Sequence, residues 1–281
     1  MTPINFRRAK GIVWVCDLAK SSSYLNSNDS VDEIEEYIPR LYYVSKLIVE
    51  SYGGVFLKWT GDGFLAFFEI DLDRHKEITG KKVFEAIWHL TFMSNVTQLG
   101  LKPKKKFKIR HGVTYEKDAL MMKIATEPNK ETLDIIGRSV VLAFRLSGIQ
   151  AEFPSIVTVK ELVEKTNKKF KKWKPSKEEK LKFFKGENFG TDTILVSSNI
   201  QTNRPNVKTV TRNAKKATAN AESDIPVDPE SPIKIFTNQM SSGPSWCKKI
   251  IQEEAEFVRK ELLGTLKTVV DVIEKNKKNG L

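Results

Sequence analysis

An alternating α/β domain is what this chain predicts, and three stretches carry the prediction. Residues 53–69, GGVFLKWTGDGFLAFFE, place two apolar, aromatic-rich runs around a glycine-flanked turn, the pattern of a buried hairpin. Over Val31–Ser51, the residues Ile34, Ile38, Leu41, Val44 and Ile48 recur three or four positions apart, the stripe of an amphipathic helix. Ahead of both, the apolar run Ile12–Val15 reads as a strand.

The elements follow in order. The first strand ends at Asp17, and the small polar residues Ser21, Ser22 and Ser23 follow before the helix. A strand that ends in a carboxylate and turns into a helix N-terminus can hold a metal and cradle phosphate together. Gly53-Gly54 ends the helix and feeds the hairpin, whose arms are Val55–Leu57 and Phe64–Phe67. Asp62 sits at its turn between Gly61 and Gly63, which allow tight backbone geometry and close approach of a ligand. Taken alone, an Asp between glycines reads as a turn residue or as a ligand. Asp17 and Asp62 together, beside a serine-rich helix start, suit two magnesium ions clamping a triphosphate during in-line displacement.

Periodicity then predicts a helix near Lys82–Leu99, strands near Phe107–Thr114 and Leu120–Ala125, a helix near Gly137–Gln150, and strands at Ser155–Val159 and Asp192–Ser198. From 199 to 244 the composition shifts to Thr, Asn, Lys, Ala and Pro without periodicity, which predicts a polar linker or arm. Over 245–279 an apolar stripe returns at Ile251, Ala255, Val258, Leu262, Leu266, Val269 and Ile273. It predicts an amphipathic C-terminal helix that packs on the core or on a second protomer.

Three motifs in order carry a family resemblance: Cys16-Asp17-Leu18; the run Gly53–Phe67 with Lys58 and Gly61-Asp62-Gly63; and Asp134–Arg145, which fits D-x-x-G-x-x-V-x-x-A-x-R. Over about residues 8–198 the chain resembles the class III nucleotidyl cyclase catalytic domain. The resemblance implies a ferredoxin-like α/β (α+β) core, a mixed sheet flanked by helices. It implies that Asp17 and Asp62 are metal ligands with the Leu18 carbonyl as auxiliary, for two Mg²⁺ or Mn²⁺ ions per site. It puts Lys58 and Asp134 where purine-reading residues lie, and Arg145 where an arginine stabilises the phosphoryl group. Lys185-Gly186 is similar to a Lys-Gly element whose lysine reaches the triphosphate, although a loop lysine before a turn glycine reads equally well.

Three departures accompany these matches. Val141 stands where the family carries a ribose-orienting asparagine, Trp59 follows the lysine in place of a small residue, and Thr114–Lys117 replaces a glycine-rich stretch. With them, the chain is most similar to the stand-alone pyrimidine cyclases of bacterial Pycsar antiphage defence. Those make cyclic CMP or cyclic UMP for a downstream effector. An adenylyl cyclase and an inactive nucleotide-binding partner are the alternatives. The resemblance also implies a head-to-tail homodimer, with a nucleoside triphosphate bound at each interface.

Composition narrows the setting. The two cysteines, Cys16 and Cys247, lie far apart without metal-type spacing, so a disulfide framework is not expected and a reducing cytoplasm is. No run of about 18 apolar residues and no signal pattern predicts a membrane span or secretion. The formal charge of +12 is local, concentrated over Lys160–Lys185 and Lys102–Lys108. It reads either as a solvated face or as a surface that attracts a triphosphate or nucleic acid, and no nucleic-acid motif supports the last.

Overall fold

The computed structural model describes residues 4–22, 28–71, 76–101, 106–127, 130–149, 155–166, 174–175, 194–198 and 232–250. Along the chain run β1 (Ile4–Leu18), α1 (Asn28–Ser51), β2 (Val55–Trp59), β3 (Gly63–Glu69), α2 (Lys76–Leu101), β4 (Ile109–Glu127) and β5 (Lys130–Ile136). Then come α3 (Arg138–Ser147), β6 (Ser155–Val159), α4 (Lys160–Thr166), β7 (Lys174–Pro175), β8 (Ile194–Ser198) and α5 (Pro232–Ser241).

The sheet order is β2-β3-β1-β4-β6-β8-β7, with β5 paired to β4 off this path. Its first four strands are antiparallel and arise from a β-α-β-β-α-β succession, the ferredoxin-like arrangement. The parallel β4–β6 pair makes the sheet mixed. Strand alternation sends Ile12, Trp14, Cys16, Phe64, Ala66 and Phe68 to one face, where α1 and α2 cover them. Val13, Val15, Leu65 and Phe67 go to the other face, clustered with Val140 and Ala143 of α3, Ile135 of β5 and Met121 of β4. Below the first face, Trp14 Nε1 donates to His111 Nδ1 at 3.2 Å and His111 Nε2 meets Thr91 Oγ1 at 3.1 Å. Burial drives the imidazole pKa down to about 3, so the ring is a neutral internal linker.

The structure changes four expectations. The strands expected at Phe107–Thr114 and Leu120–Ala125 are one continuous strand, so Thr114–Lys117 is sheet and not loop. Polar residues survive there because Thr114 Oγ1 donates to Ser139 O at 2.8 Å and Glu116 accepts from Ser139 N at 2.9 Å. Strand β5 and helix α4, both polar in sequence, were not expected. Part of the expected linker 199–244 is the helix α5, because Phe236 and Met240 are buried against α1 and α2. Both cysteines are free and buried, Cys247 among the residues that continue this packing through 245–250. The helix expected over 245–279 lies outside the described residues from 251 onward.

Candidate active site

Asp17 is the penultimate residue of β1, with Gly63 of β3 opposite it on one side and Arg110 of β4 on the other. A Cβ on Gly63 would lie 2.0 Å from the Cys16 carbonyl oxygen, so only glycine lets the hairpin close this tightly on β1. The turn between β2 and β3 is shaped by Gly61 at φ +90° and closed by Thr60 N donating to Gly63 O at 2.8 Å. Leu18 N donates to the Asp62 carbonyl oxygen at 3.2 Å, which pins the turn carrying Asp62 to the end of β1.

The two carboxylates therefore share one corner. Burial lifts the Asp17 carboxyl to about 6; Arg110 pulls it down and the Asp62 carboxylate pushes it further up. Arg110 Nε and Nη2 both donate to Asp17 Oδ2, at 2.9 and 2.5 Å. Sequence reading missed Arg110, because the register that sets it opposite Asp17 depends on a pairing 93 residues apart. Ser21 and Ser22 begin a helical turn just beyond, after Lys20 takes a left-handed φ of 61°.

Two half-buried carboxylates fit a divalent cation that takes its other ligands from phosphate oxygens and water, the usual Mg²⁺ arrangement. Among the described residues no third His, Cys, Asp or Glu joins them, so an all-protein cage is not what this corner offers.

A second polar pair lies further up the sheet. Lys58 Nζ meets Asp134 Oδ2 at 2.6 Å, joining β2 to β5. A bulge at Leu57 shifts the β2–β3 register between Phe56 and Lys58. Trp59 consequently packs on the helix-covered face, edge-on to Tyr42 at 5.5 Å, with Nε1 donating to Gly61 O. It faces away from Lys58 and shapes the polar pair only through the turn.

Arg145 is carried by a third element, in the last turn of α3. That helix lies directly on β4, since a Cβ on Gly112 would come within 2.0 Å of the Ala143 carbonyl oxygen. Val141, one turn ahead of Arg145, is 51% exposed, and Phe144 of the same helix and Ile136 at the end of β5 are exposed as well. Lys185 lies outside the described residues.

No protein-family model and no curated protein matches this chain. Solved structures do. A guanylyl cyclase, Cya2, is similar at 12% identity over 68% of this chain and 91% of that one, with a TM-score of 0.52. The adenylyl cyclase CyaB from P. aeruginosa gives 18% identity, 68% and 94% coverage, and a TM-score of 0.52. The fold is that of class III cyclase domains. A bacterial light-regulated adenylyl cyclase is also similar, at 16% identity over 75% of this chain and 58% of that one, with a TM-score of 0.50. No helix among the described residues is long and apolar enough to cross a membrane.

Proposed function

We propose that this chain is a nucleotidyl cyclase that closes a nucleoside triphosphate to its 3′,5′-cyclic monophosphate and releases pyrophosphate. The observation that carries the reading is the meeting of Asp17 and Asp62 at one corner of a cyclase fold. The 3′-hydroxyl attacks the α-phosphorus, the bond to the bridging α–β oxygen breaks, and the hydroxyl proton leaves to solvent. Two divalent ions, Mg²⁺ or Mn²⁺, acidify that hydroxyl and neutralise the departing pyrophosphate when bound. Asp17, Asp62 and the Leu18 carbonyl would hold them, and the helical turn at Ser21 and Ser22 would face phosphate. Arg145 offsets the charge that develops on the transferring phosphoryl oxygens.

The site is shared between two copies. Val141 and Phe144, on the helix that carries Arg145, and Ile136 at the end of β5 present exposed apolar surface, which suits burial against a partner. In a head-to-tail homodimer, Lys58, Asp134 and Arg145 of one subunit face the carboxylates of the other, giving two equivalent sites.

For the base, the proposal is a pyrimidine, CTP or UTP, in line with the second messengers of antiphage defence that act on a cyclic-nucleotide-activated effector. Support comes from Val141, an apolar side chain in place of a ribose-orienting amide, and from Glu116, which fills a position of the usual glycine-rich stretch. A second reading, ATP, is favoured by the intact Lys58–Asp134 pair, which can donate to and accept from an adenine edge. Incubating the purified protein with each of the four triphosphates and Mg²⁺ or Mn²⁺, then identifying any cyclic product by mass, tests both. Absence of cyclic product from all four would overturn the cyclase reading.

A further inference from the structure

We propose that Glu116 is a positioning residue of the reaction: its carboxylate, reaching across from β4, fixes the start of α3 and so sets where Val141 and Arg145 are held. The inference rests on the cyclase reading above, in which Arg145 acts on the transferring phosphoryl group.

The sequence of α3 leaves its own first turn without support. Its N-cap is Gly137, which has no side chain to accept a hydrogen bond, its first turn has no acidic residue, and Arg138 opens it with a positive charge. A helix start exposes unpaired N–H groups and the positive end of the helix dipole, and this one compensates neither from within. Val140 and Val141 add little, since β-branched residues are weaker helix formers. The acceptor comes from the sheet instead. Glu116 Oε2 accepts from Ser139 N at 2.9 Å, and Oε1 accepts from Asp118 N at 3.1 Å. One carboxylate thus ties the helix start to the stretch where β4 shifts register against β1, between the pairs Ala9–Ala119 and Gly11–Glu116.

This tie is buried, with Glu116 only 7% exposed. A Cβ on Gly137 would lie 2.5 Å from Glu116 Oε2, so the glycine that deprives the helix of a cap is what admits the carboxylate. Two further bonds meet at the same residue: Thr114 Oγ1 donates to Ser139 O and Ser139 Oγ donates to Tyr115 O, each at 2.8 Å. Farther along, the backbone of Ala143 and Ser147 rests on Gly112. That close packing fixes how near α3 lies to the strand, whereas directional hydrogen bonds at Ser139 fix its rotation and its advance along the strand. Val141 and Arg145 follow Ser139 on one short helix, so a shift at its start is carried to both.

A role confined to stability lowers the melting temperature and leaves the kinetics of the folded chains unaltered; positioning lowers kcat. With a triphosphate that the wild type converts, Glu116→Ala should be assayed well below its melting temperature with Mn²⁺ in excess. It should lose about tenfold in kcat while KM for the nucleotide stays within about twofold, because Arg145 is needed in the transition state more than in the bound ground state. Its Ser139 amide should exchange hydrogen faster than in the wild type, read residue by residue by NMR. Glu116→Gln, which keeps one acceptor oxygen for two donors, should fall between the two in both measurements. A wild-type kcat in Glu116→Ala overturns the proposal, and so does an unchanged Ser139 exchange rate. Should that variant fail to fold, Gly137→Ala decides. Its backbone is extended, φ −176°, which alanine adopts freely, so the added Cβ displaces the carboxylate and little else; a wild-type kcat from it overturns the proposal. A wild type that converts none of the four triphosphates removes the cyclase reading and this inference with it, whereas a converting wild type beside an equally fast Glu116→Ala removes this inference alone.

Discussion

Lys58 and Asp134, 76 residues apart, close a 2.6 Å ion pair across the gap between β2 and β5. Each side chain is partly exposed, so the pair adds little to stability and is free to serve recognition. Its members offer a donor and an acceptor side by side, and any base that meets them must complement both. Given equal concentrations of ATP, CTP and UTP, cyclic CMP or cyclic UMP should dominate the product, measured by mass spectrometry. Cyclic AMP in excess of both would select the adenine reading. Asp134→Asn should erode that base preference more than overall turnover, because a mispaired base leaves a polar group of the pair without a partner.

Asp17→Ala and Asp62→Ala should each abolish turnover while keeping the fold. Both residues lie at strand ends, outside the two apolar clusters, so truncation removes a ligand and little packing. Circular dichroism would report the fold, and product formation at saturating Mn²⁺ the chemistry. Near wild-type product from either variant would remove the two-carboxylate assignment.

Mixing inactive Asp17→Ala chains with inactive Arg145→Ala chains should restore activity. In a heterodimer one of the two sites keeps all its groups. Mass spectrometry would demonstrate subunit exchange, and exchange without recovery would place the site within one chain.

Asp17 also predicts a pH dependence for the metal-free protein. Its folded carboxyl titrates near 6, above the ordinary value of 3.8, so the folded chain holds the proton more tightly than the unfolded one. The stabilisation is complete below 3.8 and is lost as pH rises through 6. The loss should be about 2 kcal/mol, discounted for partial exposure. Denaturant melts between pH 4 and pH 8 would measure it, and Asp17→Asn should flatten that slope. A slope retained in Asp17→Asn would assign it to another group.

Gly112→Ala should destabilise the chain by about 1–3 kcal/mol, because its Cβ would meet the α3 backbone where no side chain can yield. It should also lower activity beyond the stability loss by displacing the helix that carries Arg145. Thermal melts and turnover on the same preparation would compare the two.

Apolar pattern made much of this structure legible. The hairpin and Ser155–Val159 stand where alternation put them, and Trp59 faces away from Lys58 as an alternating strand requires, even with a bulge between Phe56 and Lys58. Polar strands were not legible. Lys130–Ile136 and the middle of β4 carry Thr, Glu and Lys that are held by strand pairing and by hydrogen bonds to Ser139, so no apolar period marks them. Arg110 was hidden for the same reason: its role depends on which residue faces it, and composition carries no register.

The length of β4 has a consequence for assembly. One uninterrupted strand pairs with β1 along its length, with β6 through Arg110–Val113, and with β5 from Leu120 onward. It thus works as a ruler on which two distant marks are cut: Arg110 against Asp17, and Met122 against Asp134. A slip of one residue would turn every side chain of the strand to the opposite face and misplace both marks at once. On the proposed reading, metal corner and base-reading pair would then fail together, so a mispaired chain would not persist as a half-working enzyme that binds a base without the means to process it.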